Sequence, residues 1–234
     1  MAGGKSKGKI KILKNGPYVV SGNVSLEEKI IVPKGKGVVY EEGEKFSPPE
    51  PYTLCRCGHS KTPPYCDGSH ARHFFNGTET ASKADFADRA TVKEGPGLSL
   101  MDDERCAYAR FCHREKGTAW NLVDRSDDPE LREEAIRAAV ECPAGRLVVL
   151  DTEGKEIEPE LEPGIEILQD PQKEVSGPIY VKGYIPVESA DGTAYEPRNR
   201  ITLCRCGKSC KKPFCDASHI HYKYKDREVK SGDE

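Results

Sequence analysis

Apolar residues in this chain come in short runs. Two of the runs follow a Gly-Pro pair and are near copies, Gly16-Pro17-Tyr18-Val19-Val20-Ser21-Gly22 and Gly177-Pro178-Ile179-Tyr180-Val181-Lys182-Gly183. β-Branched and aromatic residues suit a pleated backbone, so each run predicts a strand. Two more short runs, Tyr52-Thr53-Leu54 and Arg200-Ile201-Thr202-Leu203, predict second strands, and each leads directly into a sixteen-residue loop. A two-stranded half has too little core to stand alone. The two halves are therefore expected to combine into one small β structure with pseudo-two-fold symmetry. The Gly-Pro runs lie 161 residues apart and the loops 149, so the first copy carries a net insertion of 12 residues, expected within Val24 to Pro51.

The segment between the copies has a different period. Asp127-Asp128-Pro129 offers an N-cap followed by proline in the first turn. Leu131, Ile136 and Val140 then recur at helical spacing, with Ala135, Ala138 and Ala139 adding propensity. The helix should stop before Pro143, and Leu147-Val148-Val149-Leu150 predicts a strand. After Asp151 the pattern is lost in glutamates and prolines, which predicts an extended, solvated connector. The fold class expected is α+β: a β-rich unit made from both chain ends, with an inserted α+β module. The divisions are residues 10–80 and 177–226 for the two copies, 85–151 for the insert and 152–176 for the connector.

Composition narrows the chemistry. The chain has 234 residues, is 36% hydrophobic and 32% charged, and has only 7% aromatics, which suits several small cores better than a large one. A net charge of −3 gives no reason to expect nucleic acid as a partner. No run of 18 apolar residues predicts a membrane span, and the Lys/Gly-rich start has no apolar segment after it to read as an export signal. Ten cysteines in such a chain point to metal ligation in a reducing, cytoplasmic setting rather than to disulfides.

Seven of those cysteines lie in the two loops, six of them at positions that repeat. Cys55–His70 reads CRCGHSKTPPYCDGSH and Cys204–His219 reads CRCGKSCKKPFCDASH, identical at 10 of 16 positions. Each sets three cysteines and a histidine at one spacing: Cys55, Cys57, Cys66 and His70, then Cys204, Cys206, Cys215 and His219. Thiolates are soft ligands and imidazole is borderline, so either zinc or an iron–sulfur cluster would be held. The C-x-C pair is unusual for zinc knuckles. On a two-iron cluster the natural division is Cys55 and Cys57 on one iron, Cys66 and His70 on the other. Arg56, Arg205, Lys61, Lys208, Lys211 and Lys212 lie in or near the loops. They could offset a bound group's charge or guide an acidic partner, or be ordinary surface side chains. Asp67 and Asp216 are expected to cap the following turn.

Both loops resemble the CDGSH iron–sulfur domain pattern, C-x-C-x₂-S-x₃-P-x-C-D-G-S-H. The first matches throughout, and the second has Ala217 in place of the usual glycine. Tyr195–Arg200 and Phe75–Thr80 extend the likeness to bacterial multi-domain CDGSH proteins. The resemblance implies a [2Fe–2S] cluster in each loop, held by three Cys and one His. It also implies two motifs facing each other under a β-rich cap, here as an intramolecular pseudo-dimer that needs no second chain.

The remaining cysteines divide further. Cys106 and Cys112, with Cys142-Pro143, resemble a single-cluster bacterial ferredoxin in which Ala109 occupies the second cysteine position. Three thiolates could hold a [3Fe–4S] cluster. A [4Fe–4S] cluster would need another fourth ligand, such as His113. The alternative is a relic module with buried free cysteines. Cys210 is left over as a free thiol, and His59, His73 and His221 sit at no ligand position. No catalytic triad, P-loop or dinucleotide fingerprint is visible, so an enzyme is not expected. The reading is an electron-transfer protein with redox partner proteins. The competing readings are a labile-cluster carrier or sensor serving apo-proteins, and a zinc-stabilised interaction module.

Overall fold

The computed structural model describes residues 8–227. The rest of the Lys/Gly-rich start, residues 1–7, lies outside them. The architecture is α+β, mostly strand, with few and short helices.

Each copy of the repeat contributes three antiparallel strands. In the first these are Lys9–Ile12, Tyr18–Ser21 and Tyr52–Leu54, and in the second Gly164–Asp170, Val175–Lys182 and Arg200–Leu203. The two strands leading into the loops fall where the apolar runs place them. Each copy also lends a strand to the other. Ser25–Lys34 of the first runs parallel to Gly164–Asp170, and Val187–Glu188 of the second runs parallel to Lys9–Ile12. The insertion in the first copy is the hairpin of Ser25–Lys34 and Gly37–Phe46, which completes the second sheet as its edge.

Alternation along the strands builds one core between the sheets. Ile10, Ile12, Tyr18 and Val20 of the first meet Ile165, Ile167, Ile179 and Val181 of the second, all buried. Folding of either half alone would strip this face of its cover.

One expectation is corrected here. The presumed connector 152–176 contains Gly164–Asp170, a central strand buried along its whole length. Its acidic composition hid it. Ile165 and Ile167 face the core, while Glu166 is paired with Lys182 at the diagonal position of the neighbouring strand. Leu168, beyond a β-irregularity, turns to a second apolar cluster with Ile31, Phe111 and Tyr180.

The middle segment forms its own antiparallel sheet from Thr91–Glu94, Ser99–Asp102, Leu147–Leu150 and Glu156–Ile157. The helix Pro129–Val140 packs on it. The Asp128 carboxylate accepts from the amides of Glu130 (2.8 Å) and Leu131 (3.2 Å), which is the expected N-cap. Its fully buried residues are Ala135, Ala138 and Ala139, with Leu131 and Ile136 partly buried at the margin. The small side chains, rather than the large ones, form the contact face.

Candidate metal centres

The two loops share a common set of hydrogen bonds. The amide of Cys55 donates to Pro64 O and that of Cys204 to Pro213 O, both at 2.8 Å. The amides of Cys66 and Cys215 return to Thr53 O and Thr202 O on the strands before the loops. Ser60 Oγ donates to Tyr65 O (2.6 Å) and Ser209 Oγ to Phe214 O (2.7 Å). Asp67 accepts from the amides of Lys61 and Ser69, and Asp216 from those of Cys210 and Ser218. The aspartates thus tie the loop to the turn that carries the histidine. The backbone closes each loop before any metal is considered.

The ligand-type side chains come together as pairs. Cys55 Sγ and Cys57 Sγ are 3.7 Å apart, and Cys204 Sγ and Cys206 Sγ 3.6 Å. Cys66 Sγ lies 3.4 Å from His70 Nδ1, and Cys215 Sγ 3.4 Å from His219 Nδ1. At metal–sulfur and metal–nitrogen lengths of about 2.3 and 2.0 Å, two ligands of one tetrahedral metal stand about 3.8 Å (S,S) or about 3.5 Å (S,N) apart. Each pair therefore has the bite of two ligands on one metal atom. Among the described residues, no three Cys, His, Asp or Glu side chains converge as the ligand set of a single ion.

Electrostatics favours a cation at each pair of cysteines. The hydrogen bond from its partner thiol, working against burial, holds the Cys55 thiol down at about 6, while Cys57 is pushed up. Cys204 and Cys206 behave the same way. Two thiolates this close repel, so the second ionises only with a bound positive charge beside it. Burial pushes the His219 imidazole down to about 4, which keeps its ring neutral and able to ligate.

Two residues read as loop cations are not at the surface. Arg56 and Arg205 are both only 2% exposed. Arg205 pairs with Asp226 and donates to Gly177 O (2.6 Å) and Leu168 O (3.0 Å). Arg56 donates to Gly77 O (2.6 Å), stands over the Tyr18 and Phe75 rings, and has no carboxylate partner among the described residues. Its Nε is buried without an acceptor. A buried cation beside two ligand cysteines suits an anionic cluster. The recurrence of Arg between the paired cysteines of both copies was the signal in the sequence; nothing there pointed to Asp226. Lys61, Lys208 and Lys211 are exposed.

The loops face each other. Gly58 and Gly207 take φ of +78° and +75°, and a Cβ on either would strike the carbonyl of the opposite loop's second cysteine, Cys206 or Cys57. Beside this contact opens a cleft of about 550 Å³ lined by His59, His73, Phe74, Lys208, Cys210 and Lys212 among others, with no carboxylate. His59 and His73 stack there at 4.1 Å between centroids.

This geometry has a family behind it. A family model described as iron-binding zinc finger CDGSH type matches residues 15–71 and 176–220. One described as divergent 4Fe-4S mono-cluster matches residues 94–152. Both ends of the chain belong to the CDGSH family, and its middle to the divergent mono-cluster family. It is an iron–sulfur protein. Comparisons with curated proteins and with solved structures gave no match.

In the mono-cluster segment, Cys106 and Cys112 line a cleft of about 490 Å³ with Trp120, Arg146 and Arg110. Burial first, then the charges of Cys142 and Cys106, push the Cys112 thiol up to about 12, so the three sulfurs act on one another. Ala109 is buried in the apolar cluster of Ile31, Phe111 and Tyr180. His113 Nδ1 sits 3.4 Å from Cys112 Sγ. No helix among the described residues is long and apolar enough to cross a membrane.

Proposed function

We propose that the chain is a cytoplasmic electron carrier, not an enzyme, with two [2Fe–2S] clusters held by Cys₃His sets. In this reading Cys55 and Cys57 hold one iron of the first cluster, and Cys66 and His70 the other. Cys204, Cys206, Cys215 and His219 repeat the arrangement. The observation that carries the reading is the pairing of ligands: four pairs, each with the bite of one tetrahedral metal. A structural zinc would gather all four ligands around one point. The neutral imidazole in place of a thiolate leaves each cluster less negative and easier to reduce, as in the two-His Rieske centres. Reciprocal strand exchange and the reciprocal Gly58 and Gly207 contacts support a pseudo-two-fold pairing within one chain. Cys106, Cys112 and Cys142 hold a third centre, [3Fe–4S] or, with His113, [4Fe–4S]. The lysine-lined cleft beside Cys57 suits an acidic redox partner.

Iron and acid-labile sulfide counts on anaerobically purified protein test the ligand sets. About four irons correspond to the two loops and about seven to a loaded middle module; a colourless protein with stoichiometric zinc overturns the reading.

One observation favours a second role, cluster donation to apo-proteins. Cys66 and His70 are half-buried, whereas Cys215 and His219 are each 3% exposed. The first loop is thus the accessible one. Incubation with an apo-ferredoxin separates the roles: transfer of the chromophore marks a donor, while reversible reduction without transfer marks a carrier.

A further inference from the structure

Cys66 and Cys215 hold the same place in their loops but differ in what covers them. The cover over Cys215 comes from the middle module. Ala107 and Ala144 form a small buried apolar cluster with it, and Cys142 packs against that cluster. Ala107 follows Cys106 in sequence, and Ala144 lies two residues after Cys142. On the other side of Cys106, Arg105 lays its guanidinium 4.1 Å from the ring centroid of Phe214, the residue before Cys215. Arg200, on the strand leading into the second loop, donates to Cys142 O (2.7 Å), Ala139 O (2.7 Å) and Leu147 O (3.0 Å). Gly145 has no room for a side chain against the Arg200 carbonyl.

The cysteine-bearing segments of the two modules are therefore interleaved, with no solvent layer at the apolar cluster. Electron tunnelling weakens steeply with distance and is favoured by packed protein over open gaps. A shared van der Waals cluster between two ligand sets is short on that scale.

We propose that the contact of Cys142, Ala107 and Ala144 with Cys215 is an electron-exchange junction, which makes the second loop the internal redox partner of the middle module and leaves the first loop as the outer site. This rests on the reading that Cys106, Cys112 and Cys142 hold an iron–sulfur centre. With centres held there, an external one-electron carrier protein would reduce the one on the middle cysteines. One electron would then cross to the one on the second loop, leaving the middle centre oxidised by one electron and the second-loop centre reduced by one. No bond breaks and no proton moves. The contacts of Gly58 with Cys206 and Gly207 with Cys57 continue the route to the first loop.

The test is paramagnetic resonance on the full-length, dithionite-reduced protein, with iron and sulfide counted on the same samples. His70→Cys and His219→Cys, made separately, assign each resonance to its loop, because a thiolate in place of imidazole changes the signal. The facing loops broaden each other alike, so the expected result is an additional splitting or broadening of the second-loop resonance that the first-loop resonance lacks. Cys106→Ser and Cys112→Ser should each abolish that broadening and leave the first-loop resonance as it was. Cys112 lies outside the junction cluster, so its variant empties the middle module without disturbing the packing. Loss of the middle iron with no change in the second-loop resonance overturns the junction, as does an equal change in both loops. A wild-type protein with only about four irons overturns the three-cysteine reading itself, and the junction with it, before any resonance is compared.

Discussion

Ala217 and Gly68 occupy one backbone position in two copies of a loop. Gly68 has φ +81° and Ala217 φ +67°. The departure from the family pattern therefore puts a Cβ in the left-handed region, where L-residues are strained by about 1–2 kcal/mol. Space is not the issue, since a Cβ on Gly68 would meet nothing within 4 Å. Ala217→Gly is expected to raise stability by about 1 kcal/mol, and Gly68→Ala to lower it by about as much, in urea unfolding of the loaded protein. The Arg205–Asp226 pair belongs to the same scale. Burial works to raise the Asp226 carboxyl, but the Arg205 charge and bonds from Ser176 and Gln169 hold it below the usual carboxylate range. Its contribution is thus complete above pH about 4 and is lost as pH falls below that. Asp226→Asn leaves a buried guanidinium without its counter-charge and should cost about 3–5 kcal/mol at neutral pH, read as a drop in the urea midpoint.

At the scale of elements, the loop-to-loop contact is a close joint. The strands position it: each loop follows the edge strand of its sheet, four-stranded for the first loop and five-stranded for the second, and the apolar face of each sheet is closed by the other. Gly58 and Gly207 then let the second cysteine of each loop approach the other's backbone. An alanine at either position meets both a positive φ and a carbonyl in the way. Gly58→Ala and Gly207→Ala should each cost about 2–4 kcal/mol, from backbone strain plus overpacking. Both loops should lose visible absorbance together in either variant, since each glycine presses on the opposite loop. Loss confined to the mutated loop would show that the loops are independent.

Across the whole molecule, the two ligand sets are alike in sequence and unlike in surroundings. The middle module covers Cys215 and leaves Cys66 half-exposed. Imidazole must be neutral to ligate, and a ring that detaches takes a proton below pH about 6.5. Burial holds the His219 ring at about 4. A group with a depressed pKa of this kind stabilises the folded loop above about 6.5 and loses that contribution as pH falls toward 4. On acidification the first loop, with its half-buried His70, should bleach before the second, and His70→Cys should reverse the order. Absorbance followed during a slow pH descent in His70→Cys and His219→Cys reads this directly.

The repeated Cys/His spacing made the ligand sets legible in the sequence, because ligation depends on residue type and local spacing and both are written along the chain. The strands before the loops and the helix after Asp128 were legible for the same reason, as short-range patterns of β-branched residues and caps. What spacing could not carry was long-range. Gly164–Asp170 looked like a solvated connector because its partners, Lys182 and the first sheet, lie elsewhere in the chain. Arg56 and Arg205 looked like surface cations because burial is a property of the assembled core. The sequence by itself showed two repeated Cys/His sets of metal-ligand type and a third group of cysteines that resembles a ferredoxin pattern. Only the tertiary structure decided that the two ends exchange strands, that the first loop is open, and that the second lies sealed against the middle module, because those facts depend on which apolar faces meet when the chain closes on itself.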